Sequence, residues 1–411
     1  MLLSCGSKSF SHLALGHNED VSTLTATLPI PPGEILDLVS VSAHTLVLVR
    51  DNGRNALYGV GTNTFGQLGR QCALRDEEDK QVLKEWRKLD LMGELDEAVE
   101  GEWEPIKIGA TWTTSFVVYR RLSSDQSSDD LSTKDMVIAC GSNDFNELGY
   151  TDPTTSRTAP VTSASPPRQV EIGLPPGEKV EHLACGQRHI MLVVSDNGGR
   201  QKVVGWGAGR RGELDMSTMG GVMESSSRKG KGKGVARPTT YPPTTLDLPL
   251  DEGEFIIDIS LGASHSLVLT SNRKVLAWGS NQKGQITSTS QLTDIKSISA
   301  SWGGSYLTTS TNQILSQGSN IYSQLLHISD GRAPINLPNG WKVEKVVAGS
   351  EHLLCLLERN GEMGLWVGGW NEHGNLGLGD LADRAELTWV QVQGSIKGIW
   401  GGCASTWVSV E

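Results

Sequence analysis

Phenylalanine is scarce in this chain of 411 residues, with 5 copies against 12 tryptophans, and several familiar signatures are missing altogether. No apolar run approaches the roughly 18 residues that a membrane-crossing helix needs. The amino terminus, "MLLSCGSKSF", has neither a basic region nor an apolar core, so a secretory leader is not expected. The cysteines Cys5, Cys72, Cys140, Cys185, Cys355 and Cys403 never pair as C-x-x-C, which argues against a zinc or dithiol site and for reduced, buried thiols in a cytoplasmic or nuclear protein. Positive charge is also in deficit. A net charge of −11 and a pI near 5.4 set the whole molecule against phosphate backbones and anionic lipid, so neither membrane attachment nor direct DNA binding is expected.

Motifs for chemistry are equally thin. There is no G-x-x-x-x-G-K-[ST] and no G-x-G-x-x-G between a strand and a helix, which excludes the usual phosphate-cradling loops. No G-x-S-x-G nucleophile turn occurs. A catalyst, a cofactor and a metal are therefore not expected.

What the chain does have is glycine, 48 residues of it, arranged in a repeat. "LSCGSKSFSHLALG" from Leu3 shares one frame with "YGVGTNTFGQLG", "IACGSNDFNELG", "VGWGAGRRGELD", "LAWGSNQKGQIT", "LSQGSNIYSQLL" and "WVGGWNEHGNLG". Each copy runs from a short apolar stretch through a glycine and a polar turn to a polar-Leu-Gly type of ending. A second motif alternates with the first, clearest in "ISLGASHSLVLTSNRK", and also occurs seven times, the last as "IWGGCASTWVSV". Alternating apolar residues, glycine turns and Asn-Gly hairpin signals predict strands throughout. Seven repeats of that kind predict an all-β, seven-bladed β-propeller filling residues 1–411 as one domain. The chain opens on the first motif and ends on the second, so strands from the two ends are expected to share one blade and close the ring. Gly61, Gly141, Gly279 and Gly369 recur in one frame and are expected where strands crowd together near the axis.

Three inserts interrupt the repeat. In residues 72–104 the spacing of Val82, Trp86 and Leu89 predicts a short acidic helix, packed on its own blade or offered to a partner. Residues 121–135 are rich in Ser and Asp and read as a loop. Residues 216–243 carry basic residues among Gly and Ser, which reads as a flexible solvated loop ahead of a nuclear-localisation or RNA-contacting patch.

His44, His189, His265 and His352 occupy one repeat position, and repetition favours a structural role over a catalytic one. Non-repeated residues at the same turns are better candidates for binding: Trp112, Trp302, Trp370, Glu351, Glu372 and His373, with Arg188, Arg210 and Arg211 as fork-shaped donors to carboxylates. Trp400 and Trp407 also fall beside such turns and suit blade packing. The neighbouring pairs Glu351-His352 and Glu372-His373 point to opposite sides of a strand, which argues against a shared metal.

These repeats resemble those of the regulator-of-chromosome-condensation family of propellers, whose blades carry the same Gly-Ser-Asn…Gly-Gln-Leu-Gly and Gly-x-x-His-Ser-Leu signatures. Within it, "AGSEHLLCLL", "GGWNEHGNLG" and "GGCASTWVSV", with "RRGELD" and "EWEPIKIGATWTTSFVV", resemble the fungal alpha-tubulin suppressors, or killer-toxin-insensitivity proteins. That resemblance implies a non-enzymatic partner of the small zinc- or iron-binding protein of diphthamide biosynthesis. The heterodimer would serve diphthamide formation on elongation factor two and Elongator-dependent modification of the tRNA wobble uridine, contacting Elongator and the diphthamide synthase indirectly. The broader family implies an alternative, guanine-nucleotide exchange on a Ran-like small GTPase. Such exchange factors usually carry a basic tail, which is not expected here because the first strand motif begins almost at Met1.

Overall fold

Alternating apolar residues put a side chain on each face of a strand, and here both faces are needed. The computed structural model describes residues 1–7, 10–73, 81–122, 134–150, 162, 165–221, 238–329 and 331–411, and in them the chain forms seven antiparallel sheets arranged as the blades of a propeller. The innermost strands are, in ring order, Glu34–Ser40, Trp103–Ala110, Lys179–Cys185, Ile256–Leu261, Ile295–Ala300, Lys342–Ala348 and Ile396–Gly402, which define blades 1 to 7. Each packs against the next, and the last packs against the first.

The second strand of a blade lies between both neighbours and is buried on both faces. His44–Asp51 and His189–Ser195 show this as almost unbroken burial. Seven apolar clusters result, one at each contact between blades. Fully buried aliphatics such as Leu46, Leu192 and Leu354 contribute about 1.5–3 kcal/mol each. Every innermost strand also carries a register irregularity, as between Ile35 and Asp37 or Val180 and His182, which adds to its twist.

Strands from both ends of the chain share blade 7, as expected. Its order from the axis is Ile396–Gly402, Ser405–Val410, Leu2–Gly6 and Val21–Ala26. Five residue pairs join Leu2–Gly6 to Ser405–Val410, and the Met1 amino group donates to the Val410 carbonyl at 2.6 Å.

The inserts differ from the sequence reading. Residues 82–89 form a strand and not a helix: Val82–Leu89 is the outer strand of blade 1. Its apolar residues are spread over both faces, Leu83 and Leu89 towards blade 2 and Trp86 towards Trp407 in blade 7, where the ring centroids lie 6.1 Å apart. Blade 4 has three strands, ending on Val275–Gly279. A 3-10 turn, Met216–Gly221, packs on that last strand, and Thr218 Oγ1 accepts from the Gly279 amide at 2.9 Å. The centre of the Ser-Asp insert, 123–133, and of the basic insert, 222–237, lies outside the described residues.

Candidate interaction face

In an antiparallel four-stranded blade, the turn between strands one and two and the loop between strands three and four fall at the same end. Both repeated motifs therefore meet on one face of the ring. The Asn of the Gly-Ser-Asn signature closes five of the three-four loops. Asn63, Asn143, Asn281, Asn320 and Asn371 each use Oδ1 to accept the amide of the residue five positions on, at 2.7–3.0 Å. The Gln or Glu of Gly-Gln-Leu-Gly then pins the top of the loop. Gln67, Glu147, Glu213, Gln285 and Gln324 accept the amides of Phe65, Phe145, Arg211, Lys283 and Tyr322 at 2.7–2.9 Å.

The glycine that opens each loop answers to crowding between strands, as expected, but at a different place. It does not sit where strands converge on the axis. It ends the third strand with positive φ, and a Cβ there would strike the start of the second strand in the same blade. At Gly61 (φ 106°) a Cβ would lie 2.4 Å from the Ala43 carbonyl oxygen, and at Gly141 (φ 123°) 2.3 Å from that of Thr113. Gly279 and Gly369 occupy the same position.

Beneath this face the repeated histidines join blade to blade. Nε2 of His44 meets Ser115 Oγ at 2.8 Å, His189 meets Ser266 at 3.2 Å, His265 meets Ser305 at 3.1 Å and His352 meets Thr406 at 3.3 Å. Three of those hydroxyls donate onward to loop carbonyls of Glu213, Gln285 and Asn375. A hydroxyl has one proton to give, so the imidazole supplies the Nε2–H. Burial pushes all four imidazoles down, His44 and His189 to about 3 and His265 and His352 to about 4, so they stay neutral. Blades 2 and 5 have Thr114 and Gly304 in place of the histidine, opposite Ile190 and Leu353, which offer no hydroxyl.

At the axis, the one-two turns are tied together by backbone bonds. The Trp302 amide donates to Ser350, Ser350 to Gly402, Cys403 to Ser40 and Trp112 to Gln187, at 2.9–3.3 Å. They surround a cavity of about 190 Å³ lined in part by Ser40, Cys185, Leu261, Ala300, Ser350 and Cys403. All six cysteines are free thiols; burial holds Cys185 well above the usual thiol range and raises Cys403 to about 11.

Trp112 of blade 2 and Trp302 of blade 5 reach across the cavity mouth and stack with centroids 5.7 Å apart. Arg188 continues the stack outward. Its guanidinium lies 5.5 Å from the Trp112 ring and 4.8 Å from Phe145, and Nη1 reaches Glu147 at 3.3 Å. Burial raises the Glu147 carboxyl, and the Phe145 amide and Arg188 pull it back. A second aromatic group sits over blades 5 and 6. Trp370 lies 5.8 Å from Tyr322 and 5.2 Å from His373, whose Nδ1 meets Asp20 at 2.7 Å.

All nine residues singled out for binding lie on this face, in two groups. Trp112, Trp302, Arg188, Arg210 and Arg211 occupy one side, and Glu351, Trp370, Glu372 and His373 the other. Glu351 is committed internally: it accepts from Gln324 at 2.6 Å, and burial raises its carboxyl. Glu351, His352 and His373 each go to a separate partner, and among the described residues no group of three or more His, Cys, Asp or Glu is placed to hold a metal. Trp407 is buried within a strand, and Trp400 lies in the innermost strand of blade 7, its ring folded over Gly398.

The sequence reading missed the exposed apolar residues of the loops. Phe10, Phe65, Phe145, Ile321, Tyr322, Ile328 and Leu381 join Trp112 on this face, leaving Met1, Phe255 and Trp389 as the other exposed large hydrophobics among the described residues. The signal was present, since Phe10, Phe65, Phe145 and Tyr322 share one frame position, three residues before the Leu of the loop.

This is a seven-bladed propeller with a polar inter-blade framework and an aromatic loop face. Comparison finds its likenesses among RCC1-like propellers. The profile described as "Regulator of chromosome condensation (RCC1) repeat" matches residues 256–285, the strands of blade 4 and part of the loop that follows. The secretion-regulating guanine nucleotide exchange factor of Bos taurus is 24% identical over 93% of this chain and 76% of its own length. An RCC1 repeat-containing protein of Schizosaccharomyces pombe is 23% identical over 100% of this chain and 99% of its own. Among solved structures, human WBSCR16 superposes with a TM-score of 0.73 at 16% identity, over 99% of this chain and 98% of that one. Prp20p of Saccharomyces cerevisiae, a protein described by its binding to Gsp1p and histones, gives 0.69 at 21%, over 99% and 90%. At these identities the structural likeness establishes the fold.

Proposed function

We propose that this chain is a non-catalytic docking propeller that forms a heterodimer with the small zinc- or iron-binding protein of diphthamide biosynthesis. Through that partner it serves diphthamide formation on elongation factor two and Elongator-dependent modification of the tRNA wobble uridine, in the cytoplasm and the nucleus. The docking role is carried by the gathering of exposed large hydrophobic side chains on one face, around the Trp112–Trp302 stack. Aromatic and Arg anchors ringed by polar groups are the usual make-up of an interface centre. The choice of partner rests on the resemblance of the segments at 348–357, 368–377 and 401–410 to the fungal suppressors.

A second reading, nucleotide exchange on a Ran-like GTPase, is favoured by the name of the bovine relative and by the description of Prp20p. Two assays separate them. Size-exclusion chromatography with the purified small metal-binding protein at physiological salt is expected to give a stable one-to-one complex, and nucleotide release from a Ran-like GTPase is expected to stay at its intrinsic rate. Separate peaks combined with accelerated release would reverse the assignment.

A further inference from the structure

The docking face is chemically lopsided. On blades 3 and 4 the loop tops carry Arg210, Arg211 and Lys283, all exposed, and none has an ion-pair partner among the described residues. Arg188, nearer the axis, is already tied to buried Glu147 and adds orientation more than free charge. Across the ring, the tops over blades 6 and 7 carry exposed Glu372 and Glu19. Arg384 and Arg70 on other loops are paired as Arg188 is, with Asp380 and Asp96, and Arg332 is turned inward to the carbonyls of Thr287 and Ser288.

We propose that the loop tops of blades 3 and 4 receive a carboxylate-rich segment of the protein partner, while an apolar side chain of the same partner packs on the Trp112–Trp302 stack. This deepens the docking reading and rests on it. Three unpaired cations standing within a molecule of net charge −11 form a local patch against the overall sign. Such a patch steers an acidic protein segment, whereas a nucleic acid would meet the repulsion of the remaining surface along its whole backbone. The neighbouring anchor is aromatic and apolar, which suits a folded protein surface. Two forks, Arg210 and Arg211, also favour planar carboxylates.

The test uses the whole chain and the purified small metal-binding protein. Arg210→Glu with Arg211→Glu is compared with Lys296→Glu plus Lys342→Glu, the same charge change on exposed residues near the opposite end of the innermost strands. Melting curves establish that both variants are folded. The blade 3 pair is expected to raise Kd at least tenfold at physiological salt and to flatten its dependence on salt, and the control pair to change Kd less than twofold. Equal losses in both variants would assign the effect to net charge and overturn the proposal. Unchanged affinity in both, with wild type binding, would overturn it and leave the docking reading standing. A wild-type chain that fails to bind removes both. Binding of a uridine 12-mer that the blade 3 pair abolishes would overturn it in favour of nucleic acid.

Discussion

A buried histidine that never protonates is a costly way to hold two blades together, and its distribution shows what it is for. At four contacts the next blade offers a Ser or Thr hydroxyl at the facing position, Ser115, Ser266, Ser305 and Thr406, and the preceding blade supplies histidine. Where the facing residue is Ile190 or Leu353, the preceding blade supplies Thr or Gly. At the seventh contact blade 7 supplies Ser405, which meets Ser40 beside Thr45. The linkage follows from the lowered pKa values. Folded, the four imidazoles stay neutral until about pH 3–4; unfolded, each takes a proton below about 6.5. The unfolded chain therefore binds more protons between those limits, and stability falls as pH falls through that window, by about 1.4 kcal/mol per pH unit for each fully engaged histidine. His265→Ala is expected to cost about 2–4 kcal/mol at pH 7.5, from a lost hydrogen bond and a cavity, and to lose less than wild type on going to pH 5.5. Urea midpoints at the two pH values measure both, and parallel acid losses would refute the account. The histidines were legible as a repeat, but their partners were not. Each hydroxyl is 40 to 77 residues away and belongs to the other motif copy.

Elements were easiest to read where one motif copy could be laid over another, and hardest where the chain departs from the frame. Residues 82–89 look helical because Val82, Trp86 and Leu89 are spaced four and three residues apart, the spacing of one helix face. A blade's outer strand produces it differently, by serving two neighbours: Leu83 and Leu89 enter the contact with blade 2 and Trp86 the contact with blade 7. Periodicity within one segment cannot separate these cases, because the second partner comes from the far end of the chain. Ring closure was legible for the opposite reason, since the order of the motifs at the two ends is itself the evidence. Removal of residues 397–411 takes away the second strand of blade 7 and nearly all of the innermost one. It opens the clusters on both sides of the blade, where Trp407, Val408 and Ile399 are fully buried. The truncated chain is expected to lose its cooperative thermal transition by circular dichroism; an unchanged transition would mean that six blades hold without the closing strands.

At the scale of the whole ring, the tryptophans and charges singled out in the sequence gather on one face, but sequence reasoning did not find what fills the space between them. The phenylalanines sit on loop tops whose flanking Gly, Asn and Gln look like turn chemistry alone, and in one copy an aromatic at a turn carries no message. Only the superposition of blades shows that Phe10, Phe65, Phe145 and Tyr322 project from equivalent points around the same face. Exposed aromatic rings lose little side-chain freedom on binding and bury large areas, so a set of them on one face outweighs isolated ones elsewhere. Phe255 provides the comparison, since it is at least as exposed as Phe65 and Phe145 but precedes the innermost strand of blade 4, at the opposite end of the ring. Phe65→Ser with Phe145→Ser is expected to weaken the complex with the small metal-binding protein at least tenfold by calorimetry, with melting temperatures close to wild type because neither ring belongs to an inter-blade cluster. Phe255→Ser is expected to change Kd less than twofold. If Phe255→Ser proves the damaging substitution, the partner sits on the other face, where the hairpin turns between second and third strands would have to supply the contacts.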